Sequence, residues 1–250
     1  MDITEYYDKF SEAYLEYYGP VFQTAVFSRD PKQFAAVMME RSMIGQQHSV
    51  LDVGCGVGGV MLGLMQNGVL DVTGVTISGR QRELARELDA NLNVEVADFA
   101  EWDDRGRKYD RIILCESFGY LPRPLEMIAK LAGLLKPGGM IYLKDIVAID
   151  DPDYMQQYGL EAIQSLWGGY TVYTLPEVLC LWGMRRIGGS NNLWRETTCQ
   201  DWVRFALGES SFSKKHKELL AEAGMKQMPI WGNQMPVKTV DFLFCGNRQR

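Results

Sequence analysis

The 250-residue chain has no C-x-x-C pair, only two histidines, and five cysteines scattered at positions 55, 115, 180, 199 and 245. An odd, dispersed set of this kind argues against a disulfide framework and against a cysteine-built zinc or redox site. We read the thiols as reduced, mostly small core residues. The chain also lacks any uninterrupted apolar run approaching the roughly 20 residues that a membrane span needs, so no membrane partner is expected. Its opening, MDITEYYDKF, has neither a basic leader nor an apolar signal core, which makes the cytoplasm the expected location. Positive charge is in deficit too: 26 Lys and Arg stand against 32 Asp and Glu, a formal net charge of -6. Phosphate-backbone binding relies on a basic face, so no nucleic-acid partner is expected. Internal repeats and low-complexity linkers are absent.

What is present is a regular alternation. Short apolar runs recur at 49–54, 71–77, 93–99, 109–117 and 138–146. Between them, GGVMLGLMQNG carries apolar residues at helical spacing and stops at Gly68. SGRQRELARELDANL opens on the N-cap serine Ser78, and PRPLEMIAKLAGLLKPGG runs from prolines to a Lys-Pro-Gly-Gly stop. Strand and helix in turn predict a doubly wound α/β fold, a mostly parallel sheet covered on both faces. Two regions fall outside the alternation. Residues 1–45 read as helical and rich in aromatics, and residues 151 to about 212 read as irregular, with Trp167, Trp182, Trp194 and Trp202 among glycines and prolines. We expect one domain over 46–250, carrying an N-terminal helical lid over 1–45 and an inserted cap over about 151–212, both above the carboxyl end of the sheet. The tail then predicts a helix over 213–225 and strands at 226–232 and 239–246.

In LDVGCGVGG, glycines 54, 56, 58 and 59 directly follow an apolar strand and open a helix. That context marks a turn where a ligand approaches the backbone and the first helical N–H groups. Read literally, Gly54, Gly56 and Gly59 satisfy G-x-G-x-x-G, a dinucleotide fingerprint. Such a site also calls for an acid at the end of the second strand, about 20 residues on. The strand here ends GVTIS and the acid is missing. A nicotinamide oxidoreductase and a non-catalytic cofactor-binding protein remain competing readings.

Asp52-Val53-Gly54-Cys55-Gly56-Val57-Gly58, VADF at 96–99 and LLKPGGMIYL at 134–143 together resemble the ordered motifs of the class I S-adenosylmethionine-dependent methyltransferases. The resemblance is close over residues 48–147 and implies a Rossmann-like seven-stranded sheet, with S-adenosylmethionine as the cofactor. GVTIS with Gln81 five residues after Thr76 resembles the cyclopropane-synthase-like and prenyl C-methylating branches. By that resemblance Thr76 and Gln81 bind ribose, Asp98 meets the adenine amine with Phe99 nearby, and Gly54, Cys55, Gly56 and Gly58 hold the rest. Asp52, Gln23 and Cys115 complete the implied cofactor set.

Glu116 follows the apolar run IILC and is hemmed in by Phe118 and Tyr120, so it is either a solvated loop acid or a group at the mouth of a site. Alkylation of an alkene carbon leaves a carbocation that wants aromatic faces around it and a base to remove a proton. CESFGYL resembles the segment of prenyl-diphosphate C-methyltransferases in which a glutamate serves as that base, and YYGPVFQTAVF resembles their lid. The resemblance implies Glu116 as the catalytic base, Tyr18, Phe22, Tyr120 and Trp194 as substrate walls, and Arg185 and Arg195 as diphosphate-binding candidates. Magnesium is expected only if the acceptor is a diphosphate, and no protein-built metal site is expected. The favoured reading is C-methylation of a small hydrophobic acceptor such as a prenyl diphosphate. The alternative is N- or O-methylation of a small natural-product-like metabolite. Exchange of the aromatic N-terminal segment between subunits makes a homo-oligomer an expectation.

Overall fold

The computed structural model describes residues 2–21, 23, 28–148, 168–184, 193–197 and 237–245. The chain opens with α1 (Ile3–Tyr18), whose start is set by a capping box. The Glu5 amide donates to Asp2 Oδ1 at 2.9 Å, and the Asp2 amide donates to Glu5 Oε2 at 3.3 Å. The second helix, α2 (Pro31–Ser42), starts with proline at its first position and Asp30 as its cap, accepting from the Gln33 amide at 2.8 Å.

The alternation expected from the sequence comes next along the chain. Strands β1 (Val50–Val53), β2 (Val72–Thr76), β3 (Asn93–Val96), β4 (Tyr109–Cys115) and β5 (Leu135–Ala148) are interleaved with helices α3 (Gly59–Gln66), α4 (Gly79–Leu88) and α5 (Pro124–Gly133). Later elements are β6 (Tyr173–Thr174), α6 (Leu175–Met184), β7 (Leu193–Thr197) and β8 (Val237–Cys245). Seven strands lie in the order β3-β2-β1-β4-β5-β8-β7, with the two-residue β6 beside β5. Pairings among β1 to β5 are parallel, and β8 runs antiparallel to both β5 and β7. The mostly parallel, doubly wound sheet is therefore the one expected.

The core explains the sheet. In β4, Ile112 and Leu114 belong to one buried cluster, while Ile113 and Cys115 belong to the cluster on the opposite face. Alternate residues of a strand point to opposite faces, so a strand buried on both reads as an unbroken apolar run. The N-terminal region is sewn onto this layer by α3. A Cβ on Gly59 would lie 1.9 Å from the Pro20 carbonyl oxygen, and one on Gly63 would lie 2.1 Å from that of Pro31. Four residues apart, these glycines share one helix face, and they let backbone meet backbone there.

Helix α3 ends at Gln66 with Asn67 as its cap, and Gly68, at φ +90°, stands just past it as the expected stop. Later stretches differ from expectation. Helix α5 already ends at Gly133, and the Lys-Pro-Gly-Gly segment expected to stop it lies within β5, in the irregularity between the Tyr109–Leu135 and Arg111–Met140 pairs. Residues 175–184, expected to be irregular, form α6. Trp182 there is buried in the core and stacked on Phe244 at 4.4 Å. The segment around Trp194 and Arg195 is likewise a sheet strand, with Trp194 opposite Phe242 and Arg195 opposite Asp241. The expected helix at 213–225 and strand at 226–232 lie outside the described residues.

Candidate active site

A cavity of about 380 Å³ opens where the strand order reverses, β1 being flanked by β2 on one side and β4 on the other. Ligands of open α/β sheets sit at such a point, beyond the carboxyl ends of the strands. Its wall is drawn from α1, Pro20 and Gln23, the turn after β1, the ends of β2, β3 and β4, and the short turn at 118–120.

The glycine turn forms one side. Gly54, Gly56 and Gly58 all hold positive φ, at +76°, +56° and +78°, a region that a Cβ disfavours. At Gly54 space is short as well, since a Cβ would lie 2.5 Å from the Ser117 Cβ. Ser117 in turn donates to the Val53 carbonyl at 2.5 Å, locking the end of β4 to the end of β1. Gly54, Cys55 and Gly56 line the cavity; Gly58 and Asp52 do not. A Cβ on Gly58 would lie 3.0 Å from Leu92 Cδ1, just past α4, and 3.5 Å from Ala85 Cβ within it. Asp52 is buried behind the turn with Oδ2 unpartnered, and its burial pushes the carboxyl up to about 7.

Thr76 and Gln81 meet at the end of β2. The Thr76 hydroxyl donates to Gln81 Oε1 at 2.6 Å, and Gln81 Nε2 donates to the Ser11 hydroxyl of α1 at 3.0 Å. The Ser78 hydroxyl, which caps α4, also bonds Asp8 of α1. At the end of β3, Asp98 and Phe99 line the cavity on a loop gathered by Lys130 of α5. The Lys130 ammonium donates to the carbonyls of Phe99, Ala100 and Trp102 at 2.7, 3.0 and 2.7 Å.

The fourth side holds Cys115, Glu116, Tyr120 and Tyr7. Glu116 adopts φ +56°, unusual for a residue with a side chain. Its amide donates to the Lys144 carbonyl at 2.7 Å, and its carboxylate pairs with the Lys144 ammonium. Lys144 is 1% exposed and Glu116 11%. Next along β5, Asp145 accepts from the Tyr170 hydroxyl and from the amides of Ile146 at 2.7 Å and Phe118 at 3.2 Å. Burial pushes its carboxyl up to about 7, against the lowering effect of those bonds. The Tyr7 hydroxyl donates to that of Tyr120 at 2.8 Å, and burial raises both phenols, keeping them protonated. Burial likewise raises the Cys115 thiol and suppresses its thiolate.

Of the residues singled out in the sequence, the structure brings Gln23, Gly54, Cys55, Gly56, Thr76, Gln81, Asp98, Phe99, Cys115, Glu116 and Tyr120 to one cavity. It does not bring Tyr18, whose ring lies 4.5 Å from the Arg29 guanidinium and stacks on Tyr14. Phe22 and Arg185 lie outside the described residues, as do the side chains of Trp194 and Arg195. Tyr7, Ser117, Lys130 and Lys144 carry much of the site's construction, and sequence reasoning assigns them no site role. Tyr7 belongs to an aromatic stripe, and a lysine within YLKDI has no local feature that reveals its partner. Among the described residues, no three or more of His, Cys, Asp and Glu converge as a metal group would.

The arrangement fits a nucleoside-bearing sulfonium. A tight turn admits its backbone-hugging part, a carboxylate and an aromatic ring stand at the end of β3, and Gln23 on the wall has a buried, unpartnered Oε1. Comparison with known proteins agrees. The pattern of the family described as "Methyltransferase domain" matches residues 23–204. A sterol 4-C-methyltransferase of Caenorhabditis elegans is 27% identical over 163 residues, covering 60% of this chain and 48% of that protein. A 24-methylenesterol C-methyltransferase of Arabidopsis thaliana is 26% identical over 212 residues, covering 79% and 58%. The chain thus spans about half the length of the curated relatives it matches. Among solved structures, the cyclopropane synthase MmaA2 of Mycobacterium tuberculosis superposes with a TM-score of 0.73 at 18% identity, covering 98% of this chain and 97% of that one, which shows a shared fold.

Proposed function

We propose, from the premise that the chain belongs to the methyltransferase-domain family, that it is an S-adenosylmethionine-dependent C-methyltransferase of an apolar, lipid-like acceptor. The observation that carries this reading is one continuous cavity with a glycine-turn and acid-lined cofactor side and a Glu116, Tyr7 and Tyr120 side. Gly54 to Gly56, Thr76, Gln81, Asp98 and Gln23 would hold the cofactor, which supplies an electrophilic methyl group when bound.

The chain's own residues then govern the fate of the acceptor. Ile3, Pro20, Leu121 and Pro122 give the cavity wall apolar surface that would disfavour water beside the reacting atoms. An alkene carbon that has gained a methyl group leaves positive charge on its neighbour, which the Tyr7 and Tyr120 rings face. The Glu116 carboxylate takes a proton from the adjoining carbon, and the released C–H electron pair restores a double bond. The sterol-directed names of the two relatives support an extended apolar acceptor. A prenyl diphosphate is the narrower instance, with magnesium as its counterion.

The test is incubation with the methyl donor and a panel of sterols, prenyl diphosphates with and without magnesium, amines and phenols, scored by mass spectrometry for a product heavier by one methyl. Glu116→Gln is run beside the wild type. Loss of turnover with S-adenosylhomocysteine binding retained supports the base; near-normal turnover removes it, and product from amines or phenols alone removes carbon alkylation.

A further inference from the structure

Lys144 touches neither cavity nor solvent, yet it is tied to Glu116 twice. The Lys144 carbonyl accepts from the Glu116 amide at 2.7 Å, and the Lys144 ammonium pairs with the Glu116 carboxylate. The first tie continues the β4–β5 ladder by one residue, since Cys115 already registers with Lys144. The second bends back across it, which the left-handed backbone of Glu116 permits. A carboxylate on a free loop would sweep several rotamers, whereas this one has its backbone and its charged end fixed by the same residue. The neighbouring acid belongs to a different set of contacts: Asp145, next on the strand, is engaged by Tyr170, Phe118 and Ile146.

We infer that Lys144 is a positioning residue that fixes where Glu116 stands at the cavity wall, and thereby selects which carbon of the acceptor loses its proton. The inference rests on the proposed role of Glu116. One alkene isomer is expected of an enzyme whose base is held in one place. A base released to sample several positions takes protons from whichever neighbouring carbon it reaches.

The experiment uses the full chain with an acceptor identified by the panel, and compares wild type, Lys144→Met, Lys144→Arg and Glu116→Gln. Calorimetry measures S-adenosylhomocysteine affinity, and gas chromatography with mass spectrometry measures the ratio of methylated alkene isomers. Lys144→Met is expected to lose at least tenfold in kcat, to keep cofactor affinity within threefold, and to turn a single product into a mixture. Lys144→Arg keeps the charge while moving it, and is expected to shift the isomer ratio even where Lys144→Met fails to fold. An unaltered isomer ratio in whichever of the two folds, with Glu116→Gln inactive, overturns the inference and leaves the base standing. Full activity in Glu116→Gln removes the base itself, and with it the role of Lys144.

Discussion

Gly59 sits at the first position of α3, where helix propensity and tertiary packing make opposite predictions for Gly59→Ala. Propensity alone favours alanine by about 0.5–1 kcal/mol. Packing opposes it, because the new Cβ would stand 1.9 Å from the Pro20 carbonyl oxygen and 2.5 Å from its carbon. Those are backbone atoms, so the relief is displacement of the segment and not rotation of a side chain. Displacement lifts Val21, now fully buried, from its place, at a cost of about 1.5–3 kcal/mol. It also strains the 2.6 Å bond from Arg29 to the Val21 carbonyl, worth about 1 kcal/mol. After the propensity gain the net loss is about 2 kcal/mol, a fall in Tm of about 4–8 °C for a domain of this size. Pro20 and Gln23 line the cavity, so S-adenosylhomocysteine affinity should fall at least tenfold, about 1.4 kcal/mol. Scanning calorimetry and titration calorimetry measure the two effects. Gly183→Ala in α6 is the control, since a Cβ there meets nothing within 4 Å among the described residues, and it should leave Tm unchanged or raise it. A Gly59→Ala protein with raised Tm and wild-type affinity would refute the claim that backbone contact with α3 seats the N-terminal segment.

Three further outcomes are expected. Thr76→Leu removes the hydroxyl that donates to Gln81 and should weaken S-adenosylhomocysteine at least tenfold by calorimetry; unchanged affinity would show that the ribose assignment is wrong. Lys130→Met frees three carbonyls of the loop that holds Asp98 and Phe99, and should lower affinity for adenosine and for S-adenosylhomocysteine by a similar factor, whereas an effect on neither would leave Lys130 without a role at the nucleoside end. Asp52, held up at about 7 when folded, keeps a proton that the unfolded chain releases near pH 4. The folded state therefore binds more protons across that window, and burial subtracts stability as the pH rises through it. Asp52→Asn should gain stability over the wild type between pH 4 and pH 8 in urea titrations, and a pH-independent difference would contradict the raised, buried carboxyl.

How much of this is legible in the sequence depends on how local each feature is. The glycine turn and the Ser78 cap lie within a few residues of a strand end, and their chemistry is set by backbone geometry that near neighbours in sequence dictate, while the Thr76 and Gln81 pair is marked by the resemblance of GVTIS to a methyltransferase branch. The apolar runs of β1 and β4 announce strands buried on both faces, so the α/β layering also comes from the chain read alone. Glu116 is legible as an acid just past an apolar strand, whereas Asp98 is singled out by the resemblance of VADF to a methyltransferase motif.

Tertiary structure decided the rest. Tyr7 and Tyr120 are 113 positions apart, and only the docking of α1 on the sheet brings their hydroxyls together. Lys144 finds Glu116 through the register of β4 on β5, and nothing in YLKDI distinguishes it from an exposed lysine. Tyr18, by contrast, carries the right ring in the right segment, yet its ring lies against the Arg29 guanidinium and not on the cavity wall. Trp194 and Arg195 read as part of a cap because an isolated five-residue strand has a weak pattern; pairing with β8 places them at the edge of the sheet. Local backbone preference writes strand ends and turns into neighbouring residues, whereas strand register and helix seating are settled by burial summed over the whole core, and no short stretch of chain carries that sum.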